Sequence, residues 1–218
     1  MTAVRADLAH VETWVFDMDN TLYPPELRLF DQVSAKITAF VMRELALERT
    51  EADALRSRYF RDYGTTLAGL MAAHGLDPDP YLAEVHAIDL SGVAPDTRLA
   101  DAIAALPGRK VIYTNGSRAH GLNIAQALGL ASCFAAFYGV EDAGYVVKPH
   151  RPAFEAVFAR DGLDPRRAAM VEDDQRNLRV PVEMGMRAIW RPVSADEARA
   201  PHVHHVAPDL ADFLIRAA

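Results

Sequence analysis

Short apolar runs that stop abruptly at polar clusters punctuate the chain. Thr13–Phe16 (TWVF) runs into Asp17–Thr21, Lys110–Tyr113 (KVIY) into Thr114–Ser117, Ala168–Val171 (AAMV) into Glu172–Asp174, and Arg187–Trp190 (RAIW) into Arg191 and Pro192. Such β-prone runs predict buried strands, each ending in a functional loop. Between them the sequence predicts helices over Arg118–Leu128, Pro152–Arg160 and Gln175–Met184, with Gly129, Gly162 and Gly185 placed to cap their C-termini. Strands alternating with helices of this length predict a parallel α/β sheet. In such sheets ligands bind beyond the carboxyl ends of the strands, near a topological switch point. The first three polar clusters fall at that edge.

The stretch 24–95 breaks the rhythm. It has few β-branched runs and instead shows helical spacing, as in Leu29, Val33, Ile37, Phe40 and Val41. Further helices are expected over Glu51–Tyr59, Thr65–His74 and Pro80–His86. Pro24-Pro25 opens this all-helical insertion, and Gly92-Val93-Ala94-Pro95 closes it. The expected organisation is an α/β core built from residues 1–23 and 96–218, with 24–95 as a helical cap domain. The last stretch adds an expected edge strand at Val203–Val206 and a helix at Ala207–Arg216.

Composition narrows the function classes. With 218 residues and 50% hydrophobic positions, the chain can bury one substantial core plus a small accessory domain. The formal charge of −7 is spread along the sequence without a basic stripe, so a nucleic-acid polymer is not an expected partner. No apolar run approaches the length of a membrane span, and Met1–His10 has no signal-like apolar region. A single cysteine, Cys133, excludes an internal disulfide and a Cys-rich metal site, and reads as a small core residue. A cytoplasmic protein is expected; nothing in the pattern sets an oligomeric state.

Asp17-Met18-Asp19 places two carboxylates two residues apart just beyond a strand. In extended backbone alternate side chains point the same way, so both can reach one phosphorus atom. Asp17 is the candidate nucleophile, forming an aspartyl-phosphate. Asp19 is the candidate acid that protonates the leaving alkoxide and then the base that activates water. Phosphate-monoester hydrolysis needs acceleration of up to about 10²¹, whereas acid–base help contributes about 10²–10⁴, so positioning and charge neutralisation must supply the rest. Thr114, Asn115 and Gly116 offer a hydroxyl, an amide and backbone N–H groups for phosphate oxygens. Lys148 can offset both the phosphate and Asp17. The cluster Glu172-Asp173-Asp174 completes a set of carboxylates that cannot all ionise at close range without a cation, and Mg²⁺ suits such a set.

These segments, in this order, resemble the haloacid dehalogenase superfamily of phosphohydrolases over nearly the whole chain. The resemblance implies a Rossmann-like core with the insertion as a cap over the site. It also implies Mg²⁺ held by Asp17, the Asp19 backbone carbonyl and Asp173. Glu172 stands where a glycine is frequent and Asp174 where a serine is, leaving either as the second metal carboxylate. Asp19 favours the phosphatase branch over the dehalogenase branch, which lacks an acid there. The segments Asp19–Pro24, Leu29-Phe30, Tyr63–Leu70, Val85–Leu90 and Asp173–Asn177 resemble the pyrimidine 5′-nucleotidase subfamily. That implies a nucleoside monophosphate such as UMP or CMP as substrate, with sugar phosphates, phosphoglycolate and pyridoxal phosphate as the broader alternative. Tyr63, Thr65, Thr66, His74 and His86 are candidates to face the leaving group, although His74 also suits a helix C-terminus.

Three competing readings have weaker support. A phospho-receiver also uses an acidic pair, a Thr/Ser and a Lys, but places its lysine last, whereas Glu172–Asp174 follow Lys148. Dehalogenation or phosphonate cleavage would keep the fold and change the chemistry. A metal site at His202, His204 and His205 lacks a nearby acid or cysteine at ligand spacing. Arg176 reads as a surface residue as readily as a phosphate contact.

Overall fold

The computed structural model describes residues 2–194 and 196–218. Six strands form one parallel sheet: β1 Thr13–Phe16, β2 Arg109–Tyr113, β3 Ala136–Tyr138, β4 Ala168–Glu172, β5 Arg187–Trp190 and β6 His205–Val206, in the order β3-β2-β1-β4-β5-β6. This is a Rossmann-like arrangement, and its strand order reverses at β1. Among the described residues, ten α-helices accompany the sheet: α1 Ala3–Asp7, α2 Leu29–Leu45, α3 Arg49–Tyr63, α4 Thr66–His74, α5 Pro78–Val85, α6 Thr97–Ala105, α7 Arg118–Ala127, α8 Arg151–Asp161, α9 Gln175–Met184 and α10 Leu210–Ala217.

Period-two alternation sends the strand side chains into two separate cores. Trp14, Phe16, Ile112, Val171 and Ile189 pack on one face against α6, α7 and α10. Val15, Val111, Met170, Ala188 and Trp190 pack on the other against α8 and α9. Both faces are therefore covered, which explains why the strands read as continuous apolar runs. Gly162 and Gly185 take left-handed conformations (φ 77° and 108°) and end α8 and α9. The edge strand is shorter than expected, and α10 begins only at Leu210, where the Asp209 side chain accepts from the Asp212 N–H.

Helices α2 to α5 lie between β1 and β2 in the chain and build a third apolar cluster. Phe40, Val41, Tyr59, Leu70, Tyr81 and Val85 form it together with Val140 and Val147 of the core. The insertion thus rests on the segment that leads to Lys148. Tyr145 Oη donates to Asp79 at 2.8 Å across the same junction.

Candidate active site

Strand register brings the acidic residues together. Phe16 lies opposite Ile112 on β2 and Val171 on β4, so Asp17 and Glu172 leave the sheet side by side at its carboxyl edge. Asp17 donates its backbone N–H to the Val171 carbonyl at 2.9 Å. Lys148 enters from the loop before α8. Its Nζ donates to Asp17 Oδ1 and to Glu172 Oε2, each at 2.7 Å, and to the Tyr113 carbonyl at 3.1 Å. These three residues are 6%, 1% and 3% exposed for Asp17, Glu172 and Lys148, so their charges meet with little water between them. Thr21 Oγ1 donates to the other Asp17 oxygen at 2.9 Å.

The Asn115 side chain grips the Lys148 backbone from both sides: Oδ1 accepts its N–H at 2.8 Å and Nδ2 donates to its carbonyl at 3.1 Å. The amide expected on a phosphate is therefore engaged in holding the lysine loop. Gly116 likewise directs its N–H to Thr114 Oγ1 at 2.9 Å. What remains at this loop is the Thr114 hydroxyl proton and the Asn115 backbone N–H, which has no partner among the described residues.

The electrostatics are unbalanced. Burial raises Asp17, opposed by Lys148, and burial together with Asp17 raises Glu172 well above the usual carboxylate range. Burial and the Asp17 charge push Asp173 up to about 6. Burial works against the Lys148 charge, but Asp17 and Glu172 outweigh it and hold the ammonium above the ordinary lysine range. One ammonium thus serves three carboxylates. Among the described residues, Asp17, Glu172 and Asp173 form the one group whose ligand oxygens all lie within 4.8 Å of one another. Hard oxygen donors with a deficit of positive charge fit Mg²⁺.

Asp174 stands apart from this group. Its Oδ1 accepts the Arg176 N–H at 2.9 Å, capping α9, and its Oδ2 accepts from Arg176 Nη2 at 2.6 Å. Glu172, the last residue of β4, lies beside Asp17 and Asp173, while Asp174 has turned to its own helix. The same bonds engage Arg176 away from the carboxylate cluster.

Asp19 Oδ1 accepts from Tyr23 Oη at 2.6 Å and lies 3.1 Å from His120 Nε2. Burial would raise this carboxyl, but His120 and Tyr23 outweigh it and hold it below the usual range. Arg191 Nη1 donates to the Asn20 carbonyl at 2.7 Å, tying the loop after Asp19 to the end of β5. Neither His120 nor Arg191 follows from a motif. The available signal for His120 was its place in the first turn after Ser117, where helical side chains lean back toward the N-terminal end and the sheet edge.

The insertion places its candidates unevenly. Tyr63 closes α3 and is 43% exposed. Thr65 Oγ1 accepts the Ala68 N–H as the N-cap of α4, and Thr66 is buried in its first turn. His86 turns toward the core, its Nδ1 3.0 Å from Ser117 Oγ. His74 Nε2 lies 2.8 Å from Tyr59 Oη within the insertion. His202 Nε2 meets the Gln175 carbonyl at 2.7 Å, His204 Nδ1 accepts the Ala188 N–H at 3.0 Å, and His205 Nε2 meets Asp7 Oδ2 at 2.8 Å. Three imidazoles engaged in three directions do not converge on a metal.

Comparison with known proteins gives this geometry a setting. The chain is 25% identical over 193 residues to phosphate metabolism protein 8 of Saccharomyces cerevisiae, a match covering 80% of this chain and 60% of that protein. The structure is similar to a haloacid dehalogenase-type phosphatase from Thermococcus onnurineus, with a TM-score of 0.61 and 17% identity over 90% of this chain and 93% of that one. It is also similar to L-2-haloacid dehalogenase from Xanthobacter autotrophicus, with a TM-score of 0.58 and 18% identity over 94% of this chain and 97% of that one. Among the described residues, no helix is long and apolar enough to cross a membrane. The match to haloacid dehalogenase-like hydrolases runs over residues 11–185, from before β1 to past α9, and the chain belongs to that family.

Proposed function

We propose that the chain is a Mg²⁺-dependent phosphatase that hydrolyses a phosphate monoester through a phosphoryl group carried on Asp17. The observation that carries this reading is the gathering of Asp17, Glu172 and half-buried Asp173 around one place, with the Lys148 ammonium bonded to the first two. Bound there by Asp17, Asp173 and the neighbouring Glu172, Mg²⁺ would supply positive charge for the phosphate oxygens. The Asp19 backbone carbonyl is a further candidate donor to the ion.

Asp17 is oriented by Lys148 and Thr21 for in-line attack on phosphorus. As the new O–P bond forms, the ester P–O bond breaks and its electron pair stays with the leaving oxygen. Asp19, protonated once the substrate's phosphate charge opposes its ionisation, gives that oxygen a proton, then takes one from the water that releases phosphate from Asp17. Lys148, the Thr114 hydroxyl and the Asn115 N–H stabilise the charge on the phosphoryl oxygens. Phosphatases and dehalogenases share this fold, so the fold does not choose between them. Asp19 supports phosphatase chemistry, because an alkoxide leaving group needs a proton and a halide does not.

The substrate class we propose is a pyrimidine nucleoside 5′-monophosphate such as UMP or CMP. The motifs of the insertion support it, and Tyr63, exposed at the end of α3, is the candidate there with a free surface. A phosphate-release screen with Mg²⁺ over nucleotides, sugar phosphates, phosphoglycolate and pyridoxal phosphate tests both levels. UMP and CMP are expected to lead, and Asp17→Asn to lower turnover by at least about 10⁴-fold with the fold intact. Equal rates across the panel would remove the substrate class alone. Halide release from a 2-haloacid without phosphate release from any ester would remove the phosphatase.

A further inference from the structure

Both protein contacts to the Asp19 carboxylate fall on one of its oxygens. Tyr23 Oη and His120 Nε2 meet Oδ1, at 2.6 and 3.1 Å, while Oδ2 has no hydrogen-bond partner among the described residues. With the His120 proton on Nε2, Oδ1 accepts two hydrogen bonds and is a poor place for the acid's own proton. A protonated Asp19 therefore carries it on Oδ2, the oxygen left facing away from both donors.

His120 is itself held. It is 2% exposed, and its backbone N–H donates to Ser117 Oγ at 3.2 Å, fixing the first turn of α7. The His86 ring stacks on it with centroids 4.2 Å apart and planes 23° from parallel. Ser117 Oγ accepts from the His120 N–H and lies 3.0 Å from His86 Nδ1, so one hydroxyl touches both histidines. Burial and the adjacent His120 push the His86 imidazole down to about 3, so it stays neutral at physiological pH and does not repel its neighbour. Gly116 makes room for the pair. A Cβ there would lie 3.0 Å from His120 Cδ2 and 3.4 Å from His86 Nε2.

We propose that His120 is the positioning residue of the catalytic acid: with Tyr23 it pins Asp19 Oδ1 so that Oδ2 meets the leaving oxygen, while His86 braces it from the end of the helical insertion. The inference rests on the phosphatase reading and adds to it a physical link between the insertion and the proton transfer. His86 follows α5 directly, so the path from insertion to acid is His86, His120, Asp19. His86, a candidate for substrate contact by sequence, acts on the leaving group through this stack.

The test compares two esters, because an acid that is badly placed harms only a leaving group that needs its proton. The kcat/KM values for UMP and for 4-nitrophenyl phosphate, each with Mg²⁺, report the steps up to phosphoryl transfer. General acid catalysis is worth about 10²–10⁴, so His120→Ala is expected to lower kcat/KM on the alkyl ester by about 10–10²-fold and on the nitrophenyl ester by less than about threefold. His120→Gln, which keeps a donor, should recover part of the loss. Tyr23→Phe removes the other donor while keeping the ring, and should show the same asymmetry even if His120→Ala fails to fold. Equal losses on both esters would overturn the positioning role while leaving the phosphatase standing. A wild-type protein that releases phosphate from neither ester would overturn both.

Discussion

The sheet edge and the helical insertion use polar residues in opposite ways. At the edge, polar and charged side chains lock one another: Lys148 holds Asp17 and Glu172, and Tyr23 and His120 hold Asp19. In the insertion, polar side chains mostly serve its own helices. Thr65 caps α4, Tyr59 meets His74, and Arg56 reaches Ser34 and Thr38, while Phe60 and Tyr63 stay exposed. Side chains at the sheet edge are held by one another across separate strand ends, whereas those of the insertion are tied to their own helices. The two regions meet at the stacked His86 and His120 rings and at the segment 140–150, which packs under the insertion and carries Lys148.

The largest stability effect should come from the locked edge. Lys148→Met leaves Asp17 and Glu172 buried beside each other without a cation, and breaking a buried ion pair on one side costs about 3–5 kcal/mol. Urea unfolding near neutral pH without Mg²⁺ should show that loss; a change under 1 kcal/mol, on the order of a surface pair, would mean the edge is not locked as described. Within the insertion, Gly69→Ala puts a methyl into the Tyr59 ring and is expected to cost about 1–3 kcal/mol by overpacking. Magnesium affinity should not change, because the disturbance lies far from the carboxylates in the chain and in a separate apolar cluster. A parallel loss of Mg²⁺ binding would show that the two regions are less separable than the contacts imply.

The junction between them has a pH signature. The folded pKa of His86, about 3, lies below its ordinary value of 6.5, so the unfolded chain takes up the proton first. Stability is then full above 6.5 and falls as pH falls toward 3, by about 1 kcal/mol between pH 6.5 and 5.5. His86→Gln should flatten that part of the stability profile; an unchanged slope would place the imidazole in water. The smallest effect is expected at Asp174→Asn. Asparagine caps a helix as well as aspartate does, and the lost pair with the 70%-exposed Arg176 is worth at most about 1 kcal/mol. Isothermal titration should show unchanged Mg²⁺ binding, and a tenfold weakening would return Asp174 to the metal.

Much of the core was legible because each central strand is buried on both faces and stops at a polar loop. β1, β2, β4 and β5 show that pattern, and their loops carry Asp17, Thr114 and Asp173. β3 escaped because Ala136–Tyr138 is only three residues long and Gly139-Val140 separates it from the acidic pair Glu141-Asp142. α6 escaped although Leu99, Ala102 and Ile103 have helical spacing and Asp96 caps them, because it directly follows the exit from the insertion. Which way Glu172 and Asp174 turn was not legible, because it goes with their partners Lys148 and Arg176, of which only Arg176 is near in sequence. The pairing of Asn115 with the Lys148 backbone joins two loops far apart in sequence, and no local pattern announces it. His120 was hidden for the same reason, since its partner Asp19 lies on another strand end.

Whether Asp17 carries the phosphoryl group is read by acid quenching during turnover of UMP with Mg²⁺, followed by mass mapping of the peptides. An acid-stable, alkali-labile phosphoryl adduct is expected on the peptide containing Asp17, present in the wild type and absent from Asp17→Asn. Rapid phosphate release with no adduct at any time, or an adduct that persists in Asp17→Asn, would contradict that role for Asp17.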